Sequence, residues 1–265
     1  MMIPAGETDT LLQLLDDPDR EIFRCVADRI SKIGREVMPD LVSKVLSLPE
    51  TDNGRRRILL SRLGEINASF RQEDLHRIYE KPSDFDLGEA VFLLASYFDV
   101  TMPRDRWDTF ICTGVSLFEA DDSEEKTALE RLTLFNYLFF NRLHFTMEDT
   151  GGAVPISEVI THRCGCPQTV ALLWFVLAAE SGLPVLPVVL EGGYAPVWIE
   201  NGREIFRIDL TDNGMPVAAG TGYQMPGKTE RPAELKPLWI LPILWLESVR
   251  GGIPDGTAPY LTINF

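Results

Sequence analysis

Apolar residues recur at helical spacing through the first eighty residues of the chain. The clearest series, at steps of four, four and three, is Ile22, Val26, Ile30 and Ile33. Such spacing predicts one apolar helix face. Asp17-Pro18-Asp19 predicts an N-cap with a proline in the first turn, and Gly34 predicts the helix end. Further helices are predicted over 39–48 and 55–70.

The helix–glycine–helix pattern over residues 17–48 resembles one HEAT-type repeat, and plain helix pairs are the alternative.

Lys81-Pro82-Ser83-Asp84 interrupts the helical pattern and predicts a domain boundary. We assign residues 1–82 to an N-terminal helical, possibly HEAT-like, region and residues 83–265 to a second domain. Helices are predicted in the second domain over 87–98, 104–118, 126–143, 156–163 and 167–181. The last of these is apolar nearly all round and should be buried.

A small sheet is predicted after these helices, with strands over 186–190, 196–200 and 203–208. Asn201-Gly202 is a strong signal for a two-residue hairpin turn. The apolar segment 239–246 must pack onto the body of the protein or onto a partner. Because the helices precede the strands, the sequence predicts an α+β fold and not an alternating parallel-sheet fold.

The charge of the chain limits the kinds of partner it can bind. The 265 residues carry a formal net charge of −15, with 45% hydrophobic and 25% charged residues. An acidic protein is a poor match for nucleic acid or anionic membranes, which need a basic face. We therefore expect a protein or small-ligand partner, with no nucleic acid and no membrane. The segment 1–7 lacks the basic and apolar regions of a signal peptide, so a cytoplasmic location is expected.

Four cysteines are present, and two of them lie in one short motif. Cys25 and Cys112 fall within helical apolar patterns and are predicted to be buried small hydrophobes. Cys164 and Cys166 belong to His162-Arg163-Cys164-Gly165-Cys166-Pro167. This His-x-Cys-x-Cys arrangement lacks both a fourth ligand and the usual Cys-x₂₋₄-Cys spacing of structural zinc sites. We predict no metal and no cofactor.

Several phrases between residues 85 and 215 resemble those of one protein family. They are Asn136 to Phe145 at a helix end, Ile156 to Pro167, Leu172 to Leu190 with Ser181-Gly182-Leu183-Pro184-Val185, and Ile208-Asp209-Leu210 with Asn213-Gly214. Together they resemble the SirB-type transglutaminase-like family of bacterial regulators. The resemblance implies a papain-related α+β core with a small antiparallel sheet. The tetratricopeptide part that many members carry has no counterpart in the pattern of this chain.

The resemblance also implies where a catalytic triad would lie. In active transglutaminase-like enzymes the nucleophile precedes the glycine of a glycine–isoleucine–proline phrase by about fifteen residues; counted from Gly182, that position is Pro167. The histidine position falls on Gly193, or on Tyr194 with one residue of slip, within Glu191-Gly192-Gly193-Tyr194. Only the acid position, Asp209, keeps its residue type.

The resemblance therefore indicates a degenerate triad. The remaining cleft would be lined by Pro167, Gln168, Gly193 and Tyr194. Gln168 could offer an oxyanion-type donor. We interpret Asp209 and Asp212 as caps of the turn ahead of Asn213-Gly214, and relict acid positions are the alternative.

Cys166 is the remaining candidate nucleophile. It is predicted near the N-terminus of a buried helix, where the helix field favours the thiolate that attacks. A base must lie within hydrogen-bond reach. Of the three histidines, His76 is predicted at the surface of the N-terminal helices, whereas His144 and His162 flank the motif. Neither lies on the strand where a triad histidine belongs.

Two functions remain open from the sequence. We interpret the chain as a non-catalytic transglutaminase-like protein with a binding or regulatory role in the bacterial cytoplasm. The alternative is a cysteine-dependent hydrolase or acyltransferase that uses Cys166 with His162 or His144, and with Asp209 as the acid. A helical interaction scaffold formed by residues 9–80 is a third possibility that overlaps the first.

Overall fold

The structure, a computed structural model, describes residues 5–148, 155–190, 193–218 and 235–250. These residues form two compact units. The N-terminal unit contains the residues up to Glu80 together with Leu93–Pro103, and the second unit contains Lys81–Phe92 and the residues from Arg104 onwards.

Four helices build most of the N-terminal unit. They are α1 (Ala5–Leu15), α2 (Arg20–Ile33), α3 (Met38–Leu46) and α4 (Asn53–Tyr79). Their apolar faces meet in one core that includes the fully buried Leu15, Ile30, Leu41, Val45 and Leu63. The predicted helices are confirmed, although α4 continues nine residues beyond its expected end at Phe70, because Leu75 is also buried and extends the apolar face.

The ends of α2 show how local chemistry sets a helix boundary. Asp19 is the N-cap, and its carboxylate accepts a hydrogen bond from the Glu21 amide at 2.7 Å. Pro18 therefore precedes the helix, and the prediction that it lies in the first turn is wrong. Gly34 ends the helix with φ of 108°, a conformation that L side chains rarely adopt, and its N–H donates to Ile30 O.

The second unit is built around one buried helix. Its helical elements are α5 (Leu87–Phe98, whose last six residues belong to the N-terminal unit), α6 (Arg104–Asp121), α7 (Ala128–Asn136), a π-helical turn (Tyr137–Arg142), α8 (Ile156–His162), α9 (Pro167–Glu180) and α10 (Leu241–Arg250). In α9 every residue from Thr169 to Ala178 is buried, as predicted. The predicted helix over 126–143 is not continuous, because the chain leaves α-helical pairing after Asn136: the Leu143 amide donates to Leu138 O.

Two sheets complete the second unit. A short parallel pair joins β1 (Thr146–Met147) to β2 (Cys164–Gly165). An antiparallel sheet follows the chain order β3 (Val185–Leu190), β4 (Gly193–Glu200), β5 (Arg203–Asp209) and β6 (Met215–Ala218). The predicted hairpin is confirmed: Asn201 and Gly202 both have positive φ, 50° and 72°, as a type I′ turn requires. The fold is α+β with an N-terminal helical region.

The apolar C-terminal segment packs within the second unit. α10 contacts α9 and β4, and its Leu241, Trp245 and Leu246 are buried. Core packing, rather than an exposed partner surface, therefore accounts for the buried residues of this segment. Within the ranges that the structure describes, none of the helices combines the length and the apolar composition that a membrane span requires.

The prediction that Cys25 and Cys112 are buried is wrong, since both are exposed. In α2 the buried positions are Val26 and Ile30, and Cys25 precedes Val26 by one residue, which rotates it about 100° away from the core face. Cys112 stands between the buried Phe110 and Gly114 of α6, two residues from each, on the opposite side of that helix.

Candidate functional site

The candidate site lies at the N-terminus of α9, where Cys166 is the N-cap residue. Its backbone is extended (φ −62°, ψ 150°), and Pro167 occupies the first helical turn, where a missing N–H costs no hydrogen bond. The amides of Thr169 and Val170 both donate to Cys166 O at 3.1 Å. The half-buried thiol is thereby held at the positive end of the helix.

A buried hydroxyl holds the Cys166 side chain. Cys166 Sγ lies 3.1 Å from Thr169 Oγ1, which in turn accepts a hydrogen bond from Trp245 Nε1 at 2.9 Å. With one lone pair taken by Trp245, the hydroxyl of Thr169 can still donate to sulfur or accept from a thiol. Thr169 and Trp245 are both buried, and neither was identified from the sequence.

Tyr194 is joined to the same helix start. Its hydroxyl donates to the backbone carbonyl of Gln168 at 2.7 Å, and its ring lies 6.0 Å from that of Phe175. Burial, and secondarily the nearby Cys166, raises the pKa of Tyr194 above its ordinary value. Tyr194 is therefore a neutral hydrogen-bond donor beside Cys166 at physiological pH.

Of the other positions expected in the cleft, Gly193 begins β4 and pairs through its backbone with Leu190. Glu191 and Gly192 lie outside the described residues. The structure thus brings together Cys166, Pro167, Gln168 and Tyr194 from the predicted set, with Gly193 next to Tyr194 in the chain.

Asp209 caps a turn at the end of β5. Its Oδ1 accepts hydrogen bonds from the Thr211 amide at 2.9 Å and from Thr211 Oγ1 at 2.6 Å. These bonds start the 3₁₀ turn Leu210–Asp212, after which Asn213 and Gly214 adopt positive φ. The observed role of the carboxylate is the turn capping that the sequence favoured over a relict acid position.

The histidines are all at the surface. His144 follows the π-helical turn with φ of 60°, His162 is the last residue of α8, and His76 lies in α4 with Glu80 at 3.7 Å. Each of the three is exposed. In the described part of the chain, the sole hydrogen-bond partner of Cys166 Sγ is Thr169, so no imidazole is bonded to the thiol.

A second buried network connects α9 to the end of the sheet. Asn136, the last residue of α7, donates through Nδ2 to Gly214 O at 2.6 Å and accepts from Trp174 Nε1 at 3.0 Å. Both Asn136 and Trp174 are buried. Gly214 has φ of 78°, and a Cβ there would collide with the Asn136 amide. The Asn136 side chain therefore links α9, which begins at Cys166, to the turn that Asp209 caps.

The described residues contain no group of three or more His, Cys, Asp or Glu side chains arranged to hold a metal ion. In the acidic stretch between α6 and α7, Asp122 instead pairs with Arg131 at 2.9 Å.

Comparison with known proteins finds a family match within the second unit. Residues 108–236 match the family model described as the transglutaminase-like superfamily. No curated protein and no solved structure matches the chain. The matched segment includes α9, the antiparallel sheet, Cys166, Tyr194 and Asp209. The chain therefore carries a transglutaminase-like superfamily domain over residues 108–236.

Proposed function

We propose that this protein is a SirB-type member of the superfamily with a degenerate triad, and that it has a non-catalytic binding or regulatory role in the bacterial cytoplasm. In this proposal residues 1–82 form the helical region and residues 83–265 the transglutaminase-like domain. The observation that carries the proposal is the hydrogen bond from Tyr194 Oη to Gln168 O. A tyrosine, and not an imidazole, occupies the strand position beside the Cys166 helix start.

The chemistry of the neighbouring groups supports a non-catalytic site. A general base must accept a proton near the working pH, and its contribution is about 10²–10⁴-fold in rate. The raised pKa of Tyr194 keeps its phenol protonated, so it cannot serve as that base at neutral pH. The hydroxyl of Thr169, the hydrogen-bond partner of Cys166 Sγ, is not a base either.

One feature favours the cysteine-dependent hydrolase or acyltransferase as a second candidate function. Cys166 is the N-cap of a 14-residue helix, where the helix field stabilises a thiolate. In the described residues, however, neither His162 nor His144 is hydrogen-bonded to the Cys166 thiol. Asp209 Oδ1 already accepts two hydrogen bonds from Thr211, so Oδ2 would be the oxygen that accepts from an imidazole.

The two functions differ in an acyl-transfer assay on the full chain. The assay follows release of p-nitrophenol from an activated ester, with and without an amine acceptor. The variants are Cys166→Ser, Cys164→Ser as the matched control from the same motif, His162→Ala and His144→Ala. We expect turnover of wild type to equal that of every variant, because single acylation of a thiol gives no turnover without a base.

A different result would establish catalysis. Multiple turnovers that fall at least tenfold in Cys166→Ser, but not in Cys164→Ser, would overturn the non-catalytic proposal. A parallel loss in His162→Ala or His144→Ala would then identify the base. Near-UV circular dichroism of each variant confirms that the fold is retained.

A further inference from the structure

A solvent-open cavity of about 400 Å³ lies between the start of α6 and the end of α8. Its volume is within the range of small-molecule sites. The polar residues that line it are Asp105, Arg106, Thr109, Thr113, Thr161 and Arg163. All of them belong to the second unit, and Cys166 is not among the lining residues.

Arg163 is the unusual residue of this cavity. It ends α8 in the left-handed conformation, with φ of 59°. Its guanidinium carbon lies 4.8 Å from the centre of the Phe145 ring and 5.6 Å from that of Phe110. Both rings are buried, so they form an apolar floor beneath the cation. The side chain is therefore held in place by aromatic contacts.

The guanidinium of Arg163 has no anionic partner within the described ranges. Its Nη1 atom is buried without a hydrogen bond, and no ion pair of this side chain is present there. Burial lowers the pKa of Arg163, yet an arginine stays charged in proteins. The side chain is half-buried and loses part of its hydration, and cation–π attraction recovers only some of that cost. A bound anion would recover the remainder.

The surrounding groups also suit an oxyanion. Arg106 adds a second cation, and its Nη1 donates to Thr161 Oγ1 at 3.0 Å. The hydroxyls of Thr109 and Thr161 donate to Asp105 O and Ser157 O within their own helices, so each would have to rotate out of that bond to donate to an oxyanion. Asp105 is the single acid of the lining, against two guanidinium groups.

A second cavity, of about 410 Å³ in the N-terminal unit, provides a contrast. There the half-buried Arg62 donates to the carbonyls of Leu15, at 2.6 Å, and Asp17, at 2.5 Å. Its guanidinium is already satisfied by the protein, and Glu65 lies in the same lining. Arg20 and Arg57 of that lining are exposed to solvent, so the buried Nη1 without a hydrogen bond distinguishes the cavity of Arg163.

We propose that the cavity between α6 and α8 binds the carboxylate or phosphate group of a small molecule, with Arg163 as the principal cationic partner and Arg106 as the second. The planar guanidinium matches both kinds of oxyanion in bidentate geometry. Phe110 supplies an apolar surface for the rest of the ligand. This site goes beyond the proposed function, and it stands whether or not Cys166 is catalytic.

Isothermal titration calorimetry of the full chain tests the proposal. The probes are inorganic phosphate and, separately, acetate and citrate, with ionic strength held constant by potassium chloride. We expect one saturable site per chain. Saturation by phosphate alone assigns the site to phosphate groups, and saturation by a carboxylate alone assigns it to carboxylates.

Variants identify the residues that bind. We expect Arg163→Gln to weaken binding about tenfold or more, which corresponds to at least about 1.4 kcal/mol. Arg106→Gln should weaken it less, and Arg203→Gln, an exposed arginine of β5 in the same unit, should leave it unchanged. Arg106 is exposed, so its variant should fold even if Arg163→Gln does not.

Absence of saturation with all three anions would overturn the proposal. Binding that is unchanged in both Arg163→Gln and Arg106→Gln, or that falls equally in Arg203→Gln, would do the same, because it would reflect general charge attraction. A variant Arg163→Lys separates geometry from charge: it should bind more weakly than wild type if the bidentate fork is used.

Discussion

Removal of the Asn136 side chain should destabilise the transglutaminase-like domain more than most single substitutions. In Asn136→Ala, the buried Trp174 Nε1–H loses its acceptor and the buried Gly214 O loses its donor. Each buried polar group left without a partner costs about 1–3 kcal/mol. We therefore expect a loss of about 2–5 kcal/mol in the free energy of unfolding, a large share of the 5–15 kcal/mol that is typical of a domain.

A matched control exists in the N-terminal unit. Asn67 is also buried, and its Nδ2 donates to Ser96 O at 2.6 Å. Asn67→Ala leaves this one backbone carbonyl without its donor, so its expected loss is about 1–3 kcal/mol. Urea denaturation followed by far-UV circular dichroism measures the stability of both variants. Because the two units need not unfold together, each unfolding transition is fitted with its own midpoint and slope.

A double-mutant cycle isolates the contribution of the indole. In a Trp174→Phe background the N–H donor is already absent, so Asn136→Ala should cost about 1–3 kcal/mol less than it does in wild type. A coupling below about 0.5 kcal/mol would show that the bond between Asn136 and Trp174 carries no measurable energy. A loss in Asn136→Ala no greater than that in Asn67→Ala would refute the reasoning as a whole.

The remaining predictions concern a carboxylate and two glycines. Burial and, secondarily, the charge of Asp86 raise the pKa of Glu180. The ionised carboxylate therefore destabilises the fold at pH values above this raised pKa. The destabilisation vanishes when the pH falls below the pKa of a glutamate in the unfolded chain, about 4.3. Since this carboxylate is largely solvated, Glu180→Gln should stabilise the domain by only a few tenths of a kcal/mol at pH 7, and it should give no stabilisation near pH ~3.5. Thermal melts at the two pH values compare the variant with wild type. A stabilisation that persists at the acidic pH would contradict the assignment. Gly64→Ala in α4 meets no atom within 4 Å and should stabilise by about 0.4–1 kcal/mol. Gly114→Ala places its Cβ 2.7 Å from Leu177 Cδ2 and should destabilise by about 1–3 kcal/mol, so equal signs in the two melts would disprove the packing argument.

The elements that the sequence predicted well are those that local patterns determine. The bounds of α5 agree with the prediction, and the hairpin turn at Asn201-Gly202 is where the dipeptide indicated. α9 is buried, as its continuous apolar composition required. In each case residues adjacent in the chain carry the information, through helical periodicity or through positive φ.

Features that depend on distant residues were not predicted. Thr169 reads as an ordinary helix residue until Trp245, 76 positions later, donates to its hydroxyl. Asn136 similarly acquires its role from Gly214, 78 positions away. The surroundings of the Arg163 guanidinium likewise depend on Phe110 and Phe145, which are distant from it in the sequence.

For the candidate site, the family resemblance put Pro167, Gln168, Gly193 and Tyr194 along one cleft, and in the structure Tyr194 contacts Gln168. The resemblance could not show that the Tyr194 hydroxyl donates to a backbone carbonyl, because this hydrogen bond depends on the packing of β4 against α9.

The strand order of the antiparallel sheet has a consequence for folding kinetics. Each strand pairs with its sequence neighbour, so the meander β3–β6 closes only short loops. The bonds from Asn136 to Gly214 and from Trp245 to Thr169 span 78 and 76 residues and require much longer loops to close. We expect the meander to form before the transition state and these two bonds to form after it. Asn136→Ala should then accelerate unfolding and leave the folding rate nearly unchanged.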